Sequence, residues 1–411
     1  MNTLLDSFYK DKKHDVKLGL ETMQRMMELL GHPERAFRVV HVAGTNGKGS
    51  VVASISSILR CAGFSVGTYT SPHLERFNER IVADGAEIAD IEIDALTSEI
   101  HALAEANSID LTFFEFATVI AFLYFARKKI EIAVVEVGLG GRLDATNIVT
   151  PDVAVITHIG LEHMDLLGNT LASIAAEKAG IIKENSVVVT AETKPEIITI
   201  FRDICIKKHA QLVNVWDTLS VEHIVEHSHG QEFVLDDKTY FIPLLGKHQV
   251  DNACTAIMTI EFLHRFPVDI NHIIEGLAQA VWPGRLEVIS RKPFVMLDGA
   301  HNPDGAAALC DYVKKMPMRK VLVLGISNDK NADEMVRLLA PLFETIIVTA
   351  SGPKPLDADV LGAIVRCYHG DVRIVSDLVE ALRMGTEIVG DGLLLVAGSL
   401  YLVGNARGIL R

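Results

Sequence analysis

The segment HVAGTNGKGSVVASISSILRCAG (residues 41–63) runs from an apolar stretch through a glycine-rich turn into a helical pattern. After the turn, Val51, Ile55 and Ile58 recur at the spacing of one helix face. Glycines allow backbone N–H groups to close around phosphate oxygens, a helix N-terminus adds partial positive charge, and Lys48 can reach terminal phosphates. We therefore predict a phosphate-binding loop, with an ordinary glycine-rich turn and a solvated lysine as the alternative. The loop residues are Thr45, Asn46, Gly47, Lys48, Gly49 and Ser50.

The loop departs from the common GTPase and kinase pattern, G-x-x-x-x-G-K-[ST]. Val42 stands where the first glycine belongs, and Gly49 follows the lysine where a serine or threonine is expected. A hydroxyl at that position normally ligates Mg²⁺. We therefore expect Ser50 to supply the hydroxyl, or the metal to be held elsewhere.

Between residues 37 and 215, short β-branched segments alternate with helical patterns, as in FRVVHVAG (37–44) and IEIAVVEVG (130–138). This alternation is typical of a mostly parallel sheet with helices on both faces. The stretch HIVEHSHGQEFVLDDKTYFIPL (223–244) instead alternates around turn residues, which predicts a small antiparallel excursion.

The β/α alternation begins again at Pro293 and continues almost to the last residue. We predict an α/β fold whose N-terminal, P-loop-type domain spans residues 1–284 and whose smaller, Rossmann-like domain spans residues 285–411. Ligands bind at the carboxyl ends of strands in such sheets. The cleft between the domains is therefore the expected site.

Composition and charge argue against several classes of partner. Among 411 residues, 39 Lys+Arg against 53 Asp+Glu give a formal net charge of −14. Because binding to nucleic acid or to an anionic membrane needs clustered cations, neither is expected. No apolar run reaches the roughly 18 residues of a membrane span, and the first residues are polar, which predicts a cytoplasmic protein. The scattered cysteines, without a C-x-x-C pair, fit a reducing compartment.

Further motifs follow the loop along most of the chain. They are TSPHLERFNERI (70–81), LTFFEFAT (111–118), EVGLGGRLDATN (136–147), GLEHMDLLGNT (160–170) with EKAGI (177–181), GKHQVDNA (246–253), WPGRLE (282–287) and LDGAHNP (297–303). In this order they resemble the motifs of the Mur ligase superfamily, specifically its folylpolyglutamate synthase and dihydrofolate synthase family. The resemblance implies an ATP-dependent ligase that activates a carboxylate as an acyl phosphate and joins it to the amine of L-glutamate.

Candidate metal ligands come partly from position and partly from the resemblance. Glu136 ends an apolar strand beside the phosphate loop, where a carboxylate can hold Mg²⁺ or can simply cap a loop. The resemblance adds Ser71 and His163 as ligands in a pair of Mg²⁺ sites. It also implies that CO₂ carbamylates Lys178, which requires the neutral amine that burial favours by lowering the pKa. Judged from its alanine-rich helix alone, Lys178 would be a solvated lysine.

The resemblance also implies the rest of the nucleotide site. Asn252, with His248 nearby, matches the stretch that contacts adenine. Arg285 matches an arginine that contacts phosphate, and from the linker it can reach the γ-phosphate only when the domains close. Asp298 and His301 would contact ATP from the second domain, and Asp298 could also be the N-cap of the next helix. The predicted catalytic residues are Lys48, Glu136, His163, Lys178 and Arg285.

Four positions match the family's pterin-binding motifs: Leu18, Thr112, Phe114 and Asp144. Phe114 could stack on a flat ring, and Asp144 could accept hydrogen bonds from an aminopyrimidine edge. The implied substrates are a pteroate or folate, L-glutamate and ATP. The motifs do not separate dihydropteroate from folates as the acyl substrate, and the resemblance implies a monomer.

Other functions remain as alternatives. Gly138, Gly140 and Gly141 after a strand suggest a dinucleotide fingerprint. However, Leu143 stands where its third glycine belongs, and the charged Glu136 interrupts the strand end, so a dehydrogenase is disfavoured. A Mur-type ligase for another acyl substrate, such as a peptidoglycan precursor, and a non-catalytic ATP-binding regulator are the further alternatives.

Overall fold

The computed structural model describes residue 17 and residues 19–411. The strands of its larger sheet are β1 (Arg38–Ala43), β2 (Val66–Tyr69), β3 (Ile81–Ala83), β4 (Ala86–Glu87), β5 (Ile132–Glu136), β6 (Val153–Ile156), β7 (Val187–Thr190) and β8 (Gln211–Asn214). They are ordered β4-β3-β2-β5-β1-β6-β7-β8. β2, β5, β1, β6, β7 and β8 run parallel, which confirms the predicted sheet. The antiparallel β3 and β4 at one edge were not predicted.

Helices cover both faces of this sheet, as the burial of its strands requires. They are α1 (Glu21–Leu29), α2 (Lys48–Cys61), α3 (Asp90–Ala106), α4 (Phe113–Lys128), α5 (Met164–Leu167), α6 (Leu171–Lys178), α7 (Pro195–Lys207), α8 (His248–Glu261) and α9 (Ile270–Ala278). Short 3₁₀ helices of this domain lie at Pro33–Arg35, Phe77–Arg80, Ala145–Ile148, Ala179–Ile181 and Val215–Asp217, and a further one lies in the second domain at Ala340–Leu342. The valines and isoleucines of β1, β5 and β6 are fully buried between these layers. This packing fixes the loops at the strand ends.

A separate antiparallel sheet follows β8, as the alternation of residues 223–244 predicted. It consists of β9 (Val221–His227), β10 (Gly230–Leu235) and β11 (Lys238–Ile242). Phe233 and Tyr240 face the main core from it, and their rings stack with centroids 5.4 Å apart. The excursion therefore shares the core of the first domain.

The second large sheet has the order β12-β13-β17-β14-β15-β16. Its strands are β12 (Glu287–Arg291), β13 (Phe294–Asp298), β14 (Lys320–Leu324), β15 (Thr345–Val348), β16 (Val372–Ile374) and β17 (Leu393–Ala397), and its helices are α10 (Pro303–Val313), α11 (Ala332–Leu339), α12 (Ala358–Arg366), α13 (Leu378–Val389) and α14 (Leu400–Leu410). Only β12, which the sequence pattern did not predict, is antiparallel to its neighbour. The predicted boundary at residues 284 and 285 lies in the linker between α9 and β12.

The carboxyl ends of strands from both large sheets border one cleft. Glu136 ends β5, Asp298 ends β13, and loops that follow β1 and β6 complete the wall. Across the described residues, no helix combines the length and apolarity needed to cross a membrane.

Candidate active site

The cleft between the two large sheets has a volume of about 630 Å³. Every predicted phosphate-loop, metal and nucleotide residue lines it, although these residues come from loops far apart in the chain. They are Thr45, Asn46, Gly47, Lys48, Gly49, Ser50, Ser71, Glu136, His163, Lys178, Asn252, Arg285, Asp298 and His301. The fold thus brings together both halves of the predicted site.

The phosphate loop has the backbone that its glycines permit. Gly44 and Gly47 have φ angles of 151° and 92°, in the region that favours glycine. A Cβ on Gly44 would lie 1.8 Å from Oγ1 of Thr157, so a side chain is excluded there. Thr157 Oγ1 donates to the carbonyl of Asn46 at 2.7 Å. Thr157, which follows β6, therefore helps to hold the loop in shape.

Lys48 begins α2 and folds back over the loop. Its Nζ donates to the carbonyls of Gly44 at 3.1 Å and Thr45 at 3.2 Å, and lies 3.9 Å from Oε1 of Glu136. An ammonium group held by neutral carbonyls can exchange them for phosphate oxygens at small cost. The arrangement therefore suits a phosphate-binding lysine.

Gly49 follows the lysine because the fold leaves no room for a side chain there. A Cβ on Gly49 would lie 2.2 Å from Cζ2 of Trp282 in the interdomain linker. The departure from the usual Ser or Thr thus has a steric cause. Ser50, the proposed replacement ligand, is buried and lines the cleft.

Glu136 is a buried carboxylate with few compensating partners. The backbone N–H of Ser71 donates to its Oε2 at 3.1 Å. Burial raises the pKa of the Glu136 carboxyl, against the opposing charge of Lys48. A bound cation would therefore stabilise the ionised form of this buried carboxylate.

Lys178 is also buried, contrary to what its helix alone suggests. Its Nζ donates to the carbonyl of Gly44 at 2.8 Å. Burial, together with the charge of Lys48, lowers the pKa of Lys178 to about 7. A substantial fraction of this amine is therefore neutral near physiological pH.

His163 precedes α5 with a φ angle of 50°. Burial, together with the charge of Lys330, lowers the pKa of His163 to about 4. The ring is therefore neutral at pH 7, the form in which an imidazole nitrogen ligates metals.

The donors in this part of the cleft fit Mg²⁺ held largely by a bound ligand. No group of three or more His, Cys, Asp or Glu side chains among the described residues could hold a metal ion. Mg²⁺ rarely uses an all-protein cage and commonly takes one or two carboxylates plus substrate phosphates. The buried carboxylate of Glu136, beside a phosphate loop, matches this usual coordination of Mg²⁺.

The nucleotide candidates of α8 and the second domain border the same loop. Asn252 Nδ2 donates to Oε1 of Gln249 at 3.0 Å, and its Oδ1 would meet a Cβ on Gly47 at 2.5 Å. Asp298 accepts the backbone N–H groups of Leu286 and Ala300, each at 2.9 Å. Asp298 thereby ties the linker to the end of β13.

Asp298 is not the N-cap of the following helix, so that alternative is wrong. Asn302 caps α10, where its Oδ1 accepts the N–H of Gly305 at 2.8 Å. Burial raises the pKa of the Asp298 carboxyl, opposed by the charge of Arg285. Arg285 Nη1 would lie 2.6 Å from a Cβ on Gly299, so its guanidinium lies against the loop after β13.

Polar contacts across the cleft involve residues that the sequence analysis missed. The side-chain amides of Asn46 and Asn302 exchange hydrogen bonds of 3.2 and 3.0 Å. Glu162 Oε1 lies 3.0 Å from Nε2 of His301 and accepts from Nζ of Lys330 at 2.9 Å. These contacts join the loops after β1 and β6 to the second domain.

Part of this cluster had a signal in the sequence. Glu162 lies inside the GLEHMD motif, and Lys330 follows β14, at the carboxyl end of a strand. The rule that sites form at carboxyl ends could have selected both. Their pairing could not be foreseen, because it joins different domains.

Thr112, Phe114 and Asp144 do not line the cleft, and the fourth predicted pterin residue, Leu18, lies outside the described residues. Thr112 caps α4, where its Oγ1 accepts the N–H of Glu115 at 3.2 Å. Asp144 caps a 3₁₀ helix and also accepts the N–H of Leu139 at 2.8 Å. Phe114 lies beneath the cleft wall, where its Cζ would be 2.3 Å from a Cβ on Gly138. Phe114 and Asp144 thus contact Gly138 and Leu139 of the cleft wall from behind, whereas the hydrogen bonds of Thr112 are with Glu115 at the start of α4.

Comparison with known proteins defines the class of this fold and site. Residues 42–260 match the Mur ligase middle domain, and residues 284–400 match the Mur ligase glutamate ligase domain. The two large sheets and the cleft between them are therefore those of a Mur ligase, an ATP-dependent ligase.

Full-length relatives narrow the class. The dihydrofolate synthase/folylpolyglutamate synthase of Bacillus subtilis is 38% identical, over 97% of this chain and 96% of its own. The folylpolyglutamate synthase of Lacticaseibacillus casei is 34% identical, over 94% of this chain and 92% of its own. The structure of Mycobacterium tuberculosis folylpolyglutamate synthase complexed with ADP and AMPPCP is 31% identical, with a TM-score of 0.93 and coverage of 99% and 97%. The chain belongs to the folylpolyglutamate synthase and dihydrofolate synthase family of Mur ligases.

Proposed function

We propose that this enzyme joins L-glutamate to the carboxylate of a pteroate or folate and converts ATP to ADP and phosphate. One observation carries the proposal: a single cleft is lined by the phosphate loop, a buried carboxylate and cationic side chains from both domains. Structures of relatives from Mycobacterium tuberculosis and Escherichia coli, described as complexes with ADP and with DHPP and ADP, support it.

The chemistry accounts for this collection of charges. A carboxylate carbon is a poor electrophile, so the carboxylate oxygen first attacks the γ-phosphorus of ATP and ADP leaves. The neutral amine of glutamate then attacks the acyl phosphate, the amide bond forms, and phosphate leaves as the amine loses its proton. Lys48 and Arg285 would offset the charge of the phosphates during both steps.

Glu136, Ser50 and Ser71 are proposed to hold one Mg²⁺, with His163 and a carbamylated Lys178 at a second site. When bound, the metal would neutralise phosphate charge. Carbamylation consumes CO₂ and the neutral amine and releases a proton, and the lowered pKa of Lys178 supports it. It would turn a buried cation into a carboxylate.

Asn252, Asp298 and His301 are proposed to contact ATP from the two sides of the cleft. Leu18, Thr112, Phe114 and Asp144 are proposed as substrate-binding residues of the pterin site. We further propose a monomer with domains at 1–284 and 285–411, cytoplasmic and without nucleic-acid partners.

ADP release by the purified protein tests the proposal. Reactions contain Mg²⁺, ATP and L-glutamate, with dihydropteroate in one and tetrahydrofolate in the other. Turnover with dihydropteroate alone indicates a dihydrofolate synthase, turnover with tetrahydrofolate alone a chain-extending enzyme, and turnover with both a bifunctional one. If neither reaction releases ADP while ATP still raises the melting temperature, the enzyme uses a different acyl substrate.

A further inference from the structure

The phosphate loop packs against the interdomain linker at Gly49, where Trp282 leaves no room for a side chain. A Cβ on Gly49 would lie 2.2, 2.5 and 2.7 Å from Cζ2, Cε2 and Nε1 of Trp282, and real Cβ atoms essentially never approach within 3.0 Å. One edge of the indole thus occupies the space that a side chain on the loop would need. Gly49 lies in the first turn of α2, whose N-terminus faces the cleft.

The linker after Trp282 is held at several points. The backbone N–H of Gly284 donates to Oε2 of Glu287 at 2.8 Å, and its carbonyl accepts the N–H of Gly299 at 2.8 Å. Gly284 has a φ angle of 72°. Arg285 follows Gly284 directly and lies three residues after Trp282, and both side chains line the cleft.

We propose that Trp282 is a positioning residue that couples nucleotide at the phosphate loop to the placement of Arg285. The coupling is steric. Phosphates that bind the loop backbone also fix the position of Gly49, against which the indole of Trp282 packs. The proposal rests on the proposed function, since it takes ATP at this loop. It also gives Gly49 a role that a serine or threonine, with its extra atoms, could not fill.

A size exchange tests the coupling. Affinity for AMPPCP with Mg²⁺ is measured by calorimetry for Gly49→Ala, Trp282→Leu and the double variant. The extra methyl group of Gly49→Ala overpacks the contact with Trp282 and should lower the affinity for AMPPCP roughly ten- to hundredfold. In the double variant, the smaller leucine at position 282 should recover most of the lost affinity. Trp282→Leu alone should lower kcat more than it raises KM for glutamate, because Arg285 is less well placed.

Gly362→Ala is the matched control. A Cβ there would lie 2.5 Å from Cδ1 of Ile374, inside the second domain and away from the cleft. This variant should lower the melting temperature and leave AMPPCP affinity unchanged. It separates the coupling from a general effect of crowding a buried glycine.

Additive effects of Gly49→Ala and Trp282→Leu, with wild-type affinity intact, would overturn the coupling and leave the proposed function standing. If Gly49→Ala does not fold, Trp282 emission in a Trp216→Phe background decides. A change in emission on adding AMPPCP supports the coupling, and no change overturns it. Failure of the wild-type protein to bind AMPPCP would refute the proposed function itself.

Discussion

Removal of the Lys330 charge should weaken the contact between the two domains. Lys330 Nζ lies 2.9 Å from Oε1 of Glu162, and the two side chains are only 13% and 8% exposed. Burial opposes ionisation of Glu162, but the hydrogen bond from His301 and the charges of His301 and Lys330 hold its pKa well below the ordinary value. His301 Nδ1 lies 2.8 Å from the carbonyl of Gly299, which can only accept.

The size of the effect follows from these partners. Lys330→Met keeps the apolar stem and removes one charged hydrogen bond to Glu162, while His301 remains. Hydrogen bonds to charged groups contribute about 1.5–3 kcal/mol. We therefore expect the equilibrium constant for closure of the two domains to fall roughly ten- to hundredfold. A full loss of pairing, about 3–5 kcal/mol, would require removal of His301 as well.

Small-angle scattering in the presence of AMPPCP measures closure, and ADP release measures turnover. Lys315→Met is the control, because Lys315 pairs with Glu226 at an exposed position and such pairs contribute at most about 1 kcal/mol. A double-mutant cycle with Glu162→Gln should show strong coupling. Equal effects of Lys330→Met and Lys315→Met, or additivity with Glu162→Gln, would refute the reasoning.

Further predictions concern the buried groups. Glu136→Gln should lower ADP release by roughly 10²-fold or more. It should not lower the melting temperature, because the burial that raises the pKa of this carboxyl penalises a charged group and not a neutral amide. Wild-type turnover in this variant would contradict the metal assignment. With ¹³C-bicarbonate, NMR should show a carbamate signal that Lys178→Met removes; a signal in both proteins would place it elsewhere. His41 has an ordinary pKa of 6.5, which burial and then the charge of Lys183 lower to about 3. The unfolded chain therefore binds more protons between these values, and stability falls as the pH drops through them. His41→Gln should flatten that slope by up to ~1.4 kcal/mol per pH unit in urea unfolding, and unchanged slopes would exclude this contribution.

Much of the architecture follows from local pattern. The β-branched segments became strands because apolar runs between helices are buried on both faces of a parallel sheet. The edge strands β4 and β12 escaped prediction because each is defined by its antiparallel partner. Thr112 and Glu115 carry the T-x-x-E signature of a capping box, which local analysis could have used. The structure places Thr112 in that role and outside the cleft lining.

The sequence by itself determined the phosphate loop, the order of the motifs and the family, because these are properties of short stretches whose chemistry is local. Only the tertiary structure decided that Lys178 is buried, that Trp282 occupies the space beside Gly49, and that Glu162 pairs with Lys330. Burial and pairing depend on which distant segments pack together. No spacing along the chain encodes them directly.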